Sequence, residues 1–210
     1  MTVRAFVTVA LLVLPAAGCS GLHSNLKATQ VYSLALPTAA PAPQAGAALA
    51  RPISDPAAGL TLLLPRPLAA PGLDSERLAL SRGARLDYYA ASAWPAALPE
   101  LVQALALDAL RATGRYRAVQ TDASALVADR VLQLEIRRCA AEYHGDGAPT
   151  VHVQLVATLG QRSDRSLVSS LNAESAVAAD GNRMQSVVAA FQAAMADALN
   201  QIATGLSATP

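Results

Sequence analysis

Residues able to do chemistry are sparse in this chain. The densest group is Glu142, His144 and Asp146 in one short stretch, with His152 following. Carboxylates and imidazoles are zinc ligands, but their spacing here is not that of a helical i, i+4 pair. Gly145 and Gly147 break up the same stretch, so it reads as the solvated tip of a hairpin, and no metal or cofactor is expected. His152 falls in an alternating run and reads as a structural imidazole rather than a general base. The chain contains no G-x-S-x-G, G-x-x-x-x-G-K-[ST], G-x-G-x-x-G or H-E-x-x-H. Catalysis is therefore not expected. A hydrolase with a dispersed active site would need an enclosed pocket holding a perturbed histidine or carboxylate.

The two cysteines read differently. Cys139 ends the alternating run Leu132-Gln133-Leu134-Glu135-Ile136-Arg137-Arg138-Cys139 and reads as a small buried hydrophobe. Cys19 follows one cation, Arg4, a ten-residue apolar run from Ala5 to Leu14, and the small residues Ala16-Ala17-Gly18. That is the three-part pattern of a secretory signal, and the run is too short to span a bilayer. Cys19 directly after Ala-Ala-Gly resembles a bacterial lipobox, although Ala16 stands where Leu is usual. The resemblance implies diacylglycerol on the thiol of Cys19, cleavage after residue 18 and acylation of the new amino terminus. Ordinary secretory cleavage at the same stretch is the alternative. Each buried methylene contributes about 0.8 kcal/mol, so two or three chains would tether a domain durably to a membrane surface. Ser20 after the Cys resembles the outer-membrane sorting type. With Cys19 lipidated, Cys139 has no intramolecular disulfide partner.

Composition excludes other classes. The chain has 210 residues, 53% hydrophobic and 15% charged, with a mean hydropathy of +0.31, which is too apolar and too weakly charged for disorder to dominate. Lys and Arg number 16 against 15 Asp and Glu, and Arg4 alone precedes Cys19, so the remainder is neutral. Nucleic acid is not an expected partner, because a surplus of cations is missing.

The elements follow from periodicity. Residues 19–30 read as a tether and 31–206 as one domain with a Pro/Ala-rich loop at 37–58. Strands are predicted over Val31–Leu36, Leu60–Leu64, Arg77–Ser81, Arg85–Tyr89, Arg117–Val119, Val131–Arg138, Val151–Leu159 and Leu167–Val177, with hairpin turns at Gly83 and at Gly145–Gly147. One helix starts at Leu98-Pro99-Glu100 and stops at Gly114; a second runs from a capping box at Asn182 and Gln185 to Gly205. Met184, Phe191 and Met195 lie on one stripe of the second helix and read as core rather than as a lipid groove. The expected class is α/β (α+β): a three-layer helix/sheet/helix sandwich with a mixed, partly antiparallel sheet and two long amphipathic helices. Leu73 to Trp94 gathers the one Trp and the adjacent Tyr88 and Tyr89, an aromatic concentration in a chain only 4% aromatic. Adjacent strand residues point to opposite faces, so one Tyr can be core while the other is offered outward.

In order and spacing, Tyr32-Ser33-Leu34, Leu62-Leu63-Leu64-Pro65-Arg66-Pro67, Pro71-Gly72-Leu73-Asp74, Arg77-Leu78, Tyr88-Tyr89, Trp94, Leu98-Pro99-Glu100-Leu101-Val102, Gly114-Arg115-Tyr116 and Ala128 to Leu134 resemble the ABC-type transport auxiliary lipoproteins. These are companions of MCE (mammalian cell entry) substrate-binding proteins. The resemblance implies helices packed on a mixed sheet, no catalytic residues, and a lipid anchor at Cys19 in the inner leaflet of the outer membrane. It further implies docking of the periplasmic domain on the MCE protein of an ABC transport system that moves lipids or hydrophobic compounds. Leu73, Asp74, Arg77, Tyr88 and Trp94 are the candidates for the partner surface, with a place in the core beneath the first helix as the alternative for Trp94. A structural or envelope-assembly lipoprotein without a transport role is the alternative, and homo-oligomerisation stays open.

Overall fold

The alternating run after Asp129 becomes the strand on which the sheet is built. A computed structural model describes residues 28–36, 59–124 and 127–207; Cys19, most of the tether and the Pro/Ala-rich stretch at 37–58 lie outside them. In chain order the elements are β1 (Gln30–Val31), β2 (Thr61–Leu63), β3 (Leu68–Ala69), β4 (Arg77–Arg82), β5 (Arg85–Ala93), α1 (Leu98–Ala112), β6 (Ala118–Gln120), β7 (Arg130–Glu142), β8 (Thr150–Gln161), β9 (Leu167–Ala178) and α2 (Met184–Ser207).

The nine strands form one mixed sheet. On one side β7 pairs antiparallel with β8, and β8 with β9. On its other side β7 takes three short parallel partners in succession: β2 at Arg130–Val131, β3 at Glu135–Ile136 and β4 at Ala141–Glu142. From these the sheet branches, β2 to β6 and β4 through β5 to β1. A bulge between Ile136 and Arg138 shifts the register of β7 against β8. This offset keeps the apolar side chains on one face beyond it, so that Cys139 and Ala141 face Val153 and Val151.

Burial along β8 alternates strictly: Val151, Val153, Leu155, Ala157 and Leu159 are buried and the residues between them only half-buried. The buried face meets α2, whose Val187, Phe191, Met195, Leu199 and Ile202 join the same core, as the helical stripe predicts. Four expectations give way. The two helices touch each other directly, so the sheet does not lie between them and the arrangement is two layers, not three. The opposite face of β8 and β9 presents Gln154, Thr158, Asn172 and Glu174, which need no cover. Second, α2 runs through Gly205 to Ser207, because that glycine is where Leu171 of β9 crosses the helix: an added Cβ would sit 2.9 Å from Leu171 Cδ1. Third, Val31–Leu36 yields only the two-residue β1; Leu34 is buried without a ladder. Asn182 Oδ1 accepts from the Tyr143 hydroxyl at 2.7 Å, so the expected capping box gives way to a tie between α2 and the end of β7.

Trp94, expected on a partner surface, is 2% exposed and meets Phe191 edge-on, with ring centroids 5.5 Å apart at 86°. An edge-to-face aromatic pair adds directional attraction to area burial. Trp94→Ala and Phe191→Ala should each cost about 3–5 kcal/mol, as large-to-small core changes do. Denaturant midpoints measure this; a loss below 1 kcal/mol for Trp94→Ala would mean the ring is not core.

Candidate functional site

The loop from Pro65 to Glu76 crosses the open face of the sheet, and its course is fixed by backbone bonds. Ala70 N–H donates to Ile136 at 2.9 Å, Trp94 N–H to Glu76 at 2.7 Å and Leu98 N–H to Ser75 at 3.0 Å. The loop therefore joins β7, the end of β5 and the start of α1. Gly72, with φ +86°, turns the chain over Tyr88. The Tyr88 hydroxyl donates to the Gly72 carbonyl at 2.8 Å, and the Arg77 guanidinium lies 3.7 Å from the centre of the Tyr88 ring. This is a cation–π contact on the outward Tyr of the pair.

Beside it, Arg66 donates twice to Asp74, at 2.6 and 3.2 Å, and its Nε lies 3.8 Å from Glu100 in the first turn of α1. The bond to Arg66 holds the Asp74 carboxyl below the usual carboxylate range. A depressed carboxylate contributes above its unfolded pKa and ceases to as pH falls through the folded one; in this exposed pair that contribution is small. Leu68 and Leu86, 60% and 41% exposed, lie on the same open face, Leu68 opposite Glu135 and Leu86 opposite Ser81.

Of the five expected surface residues, Asp74 and Arg77 are exposed and Tyr88 is half-buried beneath Arg77. Leu73 is buried at 7% exposure and Trp94 at 2%, so both anchor the loop from beneath. Leu68, Leu86, Arg66 and Glu100 join the site without having been expected there. Arg66 and Asp74 carry opposite charges eight residues apart around a turn, the one signal from which their pairing was open to inference.

The inward tyrosine does something else. Tyr89 and Tyr143 hydroxyls meet at 2.9 Å, and Arg82 stands 5.1 Å from the Tyr143 ring centre. Burial, then the bond to Tyr143, pushes the Tyr89 phenol well above its ordinary range, so it stays neutral.

Glu142 is not in the hairpin tip but ends β7. It receives Arg138, with His152 Nε2 at 3.2 Å and His144 Nε2 at 3.8 Å. Asp146 stays apart in the exposed loop, and among the described residues no group of His, Cys, Asp and Glu is arranged to hold a metal ion. One open cleft of about 450 Å³ is lined by Val131, Gly160, Gln161, Arg162 and Arg165, with neither a nucleophile nor a base. Cys139 is fully buried and its thiol is pushed up to about 12, which keeps it protonated and inert, in line with the small-hydrophobe reading.

Gly72→Ala tests how tightly the loop is seated. The new Cβ would stand 2.8 Å from Leu86 Cδ2 and 3.0 Å from Tyr88 Oη at a positive φ. A loss of about 1–3 kcal/mol is expected from a side chain held there. Denaturation that matches the parent would show the loop to be loosely held.

The described domain is similar in fold to the crystal structure of protein XCC0632 from Xanthomonas campestris, with a TM-score of 0.67 at 23% identity, covering 85% of this chain and 93% of that one. Protein CT253 from Chlamydia trachomatis gives 0.52 at 10% identity, covering 72% of this chain and 97% of that one. No curated protein matches the chain. The family model of the ABC-type transport auxiliary lipoprotein component matches residues 32–203, from the β1 exit to the last turns of α2. With that span reaching across the open-face loop, both helices and the whole sheet after β1, the chain belongs to the ABC-type transport auxiliary lipoprotein family.

Proposed function

We propose that this protein works by position rather than by catalysis. A lipid on Cys19 holds it at the inner leaflet of the outer membrane with the domain in the periplasm. The patch around Tyr88 docks on the MCE substrate-binding protein of an ABC transport system and helps lipids or hydrophobic compounds pass between the two membranes. The observation that carries this reading is the patch itself: a stacked Arg77–Tyr88 pair with the exposed side chains of Leu68 and Leu86 on the same sheet face. Arginine and tyrosine dominate the energetic centres of protein interfaces, and aliphatic side chains around them exclude water. The Tyr88 bond to Gly72 and the Arg66–Asp74 pair hold the patch in shape before a partner arrives, which lowers the ordering entropy that docking costs. Membership of a transport auxiliary lipoprotein family supports the rest.

Arg77→Ala and Tyr88→Ala should each weaken capture of the MCE protein about tenfold or more, as loss of an interface anchor worth about 2 kcal/mol does. Thermal unfolding of Arg77→Ala should stay close to the parent, and Tyr88→Phe, which keeps the packed ring, separates loss of capture from loss of fold; undiminished capture by Arg77→Ala and Tyr88→Ala would refute the docking surface. Radiolabelled palmitate should enter the parent and not Cys19→Ala. Label persisting in that variant, or a parent without label, would refute the anchor.

A further inference from the structure

Strand β9 is twelve residues long and among the described residues pairs only with β8, leaving an outer edge along its length. A free edge invites another strand, and proteins blunt such edges with proline, lysine, bulges or charge. β9 contains no Pro and no Lys, its one charge is Glu174, and its one register shift against β8 lies at its start, between Leu167 and Ser169. At Glu174 the edge is occupied. Glu174 N–H donates to Gln201 Oε1 at 3.2 Å, and Gln201 Nε2 donates back to the Glu174 carbonyl at 2.9 Å. One side-chain amide thus fills both hydrogen-bonding positions that a neighbouring strand would use at this residue. Gln201 Nε2 also donates to Asp197 Oδ2 at 3.2 Å, one turn back along α2. A carboxylate only accepts, so Asp197 fixes which end of the amide is nitrogen, and both N–H groups and the carbonyl oxygen are committed.

We infer that Gln201, oriented by Asp197, is an edge lock that keeps β9 from pairing with β9 of a second copy of this chain. The lock comes from α2, and it sits near the middle of the strand, where it splits the free edge into two short halves.

The test uses the full chain in detergent. Gln201→Ala removes the amide at an exposed helical position where Ala is well tolerated. Light scattering after size exclusion should then show self-association at least tenfold tighter than the parent's. Asn172 shares the outward side of the strand with Glu174, since ladder direction repeats every second residue. Adding Asn172→Pro removes an outward N–H and should return Gln201→Ala to the parent's behaviour. Amide exchange gives an independent reading at dilution: the Glu174 N–H should exchange at least tenfold faster in Gln201→Ala. Three results each overturn the inference: association equal to the parent's, association that Asn172→Pro does not reverse, or unchanged exchange at Glu174.

Discussion

Strand β7 is the constraint on which the molecule depends. It is paired on one side through all of β8 and on the other by three short parallel strands that never touch it at the same level. The three follow one another along the same edge of β7, so the 65–67 and 70–76 segments that join them are links along that edge and not crossovers. The second link is the longer one and turns over Tyr88 at Gly72. The candidate patch therefore exists because the chain leaves β7 after β3 and returns to it as β4 with seven residues, 70–76, between the two.

Two faces of one sheet are used for different purposes. The face under α2 supplies cohesion: Trp94, Phe191, Leu62, Leu132, Leu134, Ile136, Leu155, Leu159 and Met195 are nearly inaccessible to solvent. The other face carries the candidate docking patch. Tyr88 and Tyr89, both half-buried, divide along this line, one stacked under Arg77, the other neutral against Tyr143. Leu73 from the loop and Trp94 from the end of β5 reach the core and hold the patch on the cohesive side.

How much of this was legible depended on how local its cause is. The alternation of Leu132, Leu134 and Ile136, and of Val151 to Leu159, announced β7 and β8, because a sheet with one polar face writes its period into the sequence. α1 announced itself through Pro99, Glu100 and the stop at Gly114, and the structure places Pro99 within its first turn and Thr113 at its end. The two-residue β3 could not be read between Pro65, Pro67 and Pro71, since its pairing with Glu135–Ile136 is decided by β7 and not by its own residues. The same holds for the site. An outward tyrosine follows from adjacency in a strand, but the burial of Trp94 depends on where Phe191 sits, ninety-seven positions later. Layer count failed for a related reason: periodicity says that a helix has one greasy side, not which side of the sheet it will choose.

The way the chain enters the domain has a mechanical consequence. Before the sheet proper, residues 28–36 are secured by a two-residue ladder to Ser92–Ala93, a Tyr32 N–H bond to Ala93 at 2.9 Å, the Leu34 side chain, and Gln192 Nε2 reaching the Ser33 carbonyl at 3.3 Å. Tension on that leader would load these few fastenings before it reached β7. They act as a shear pin, yielding first and sparing the structure behind them.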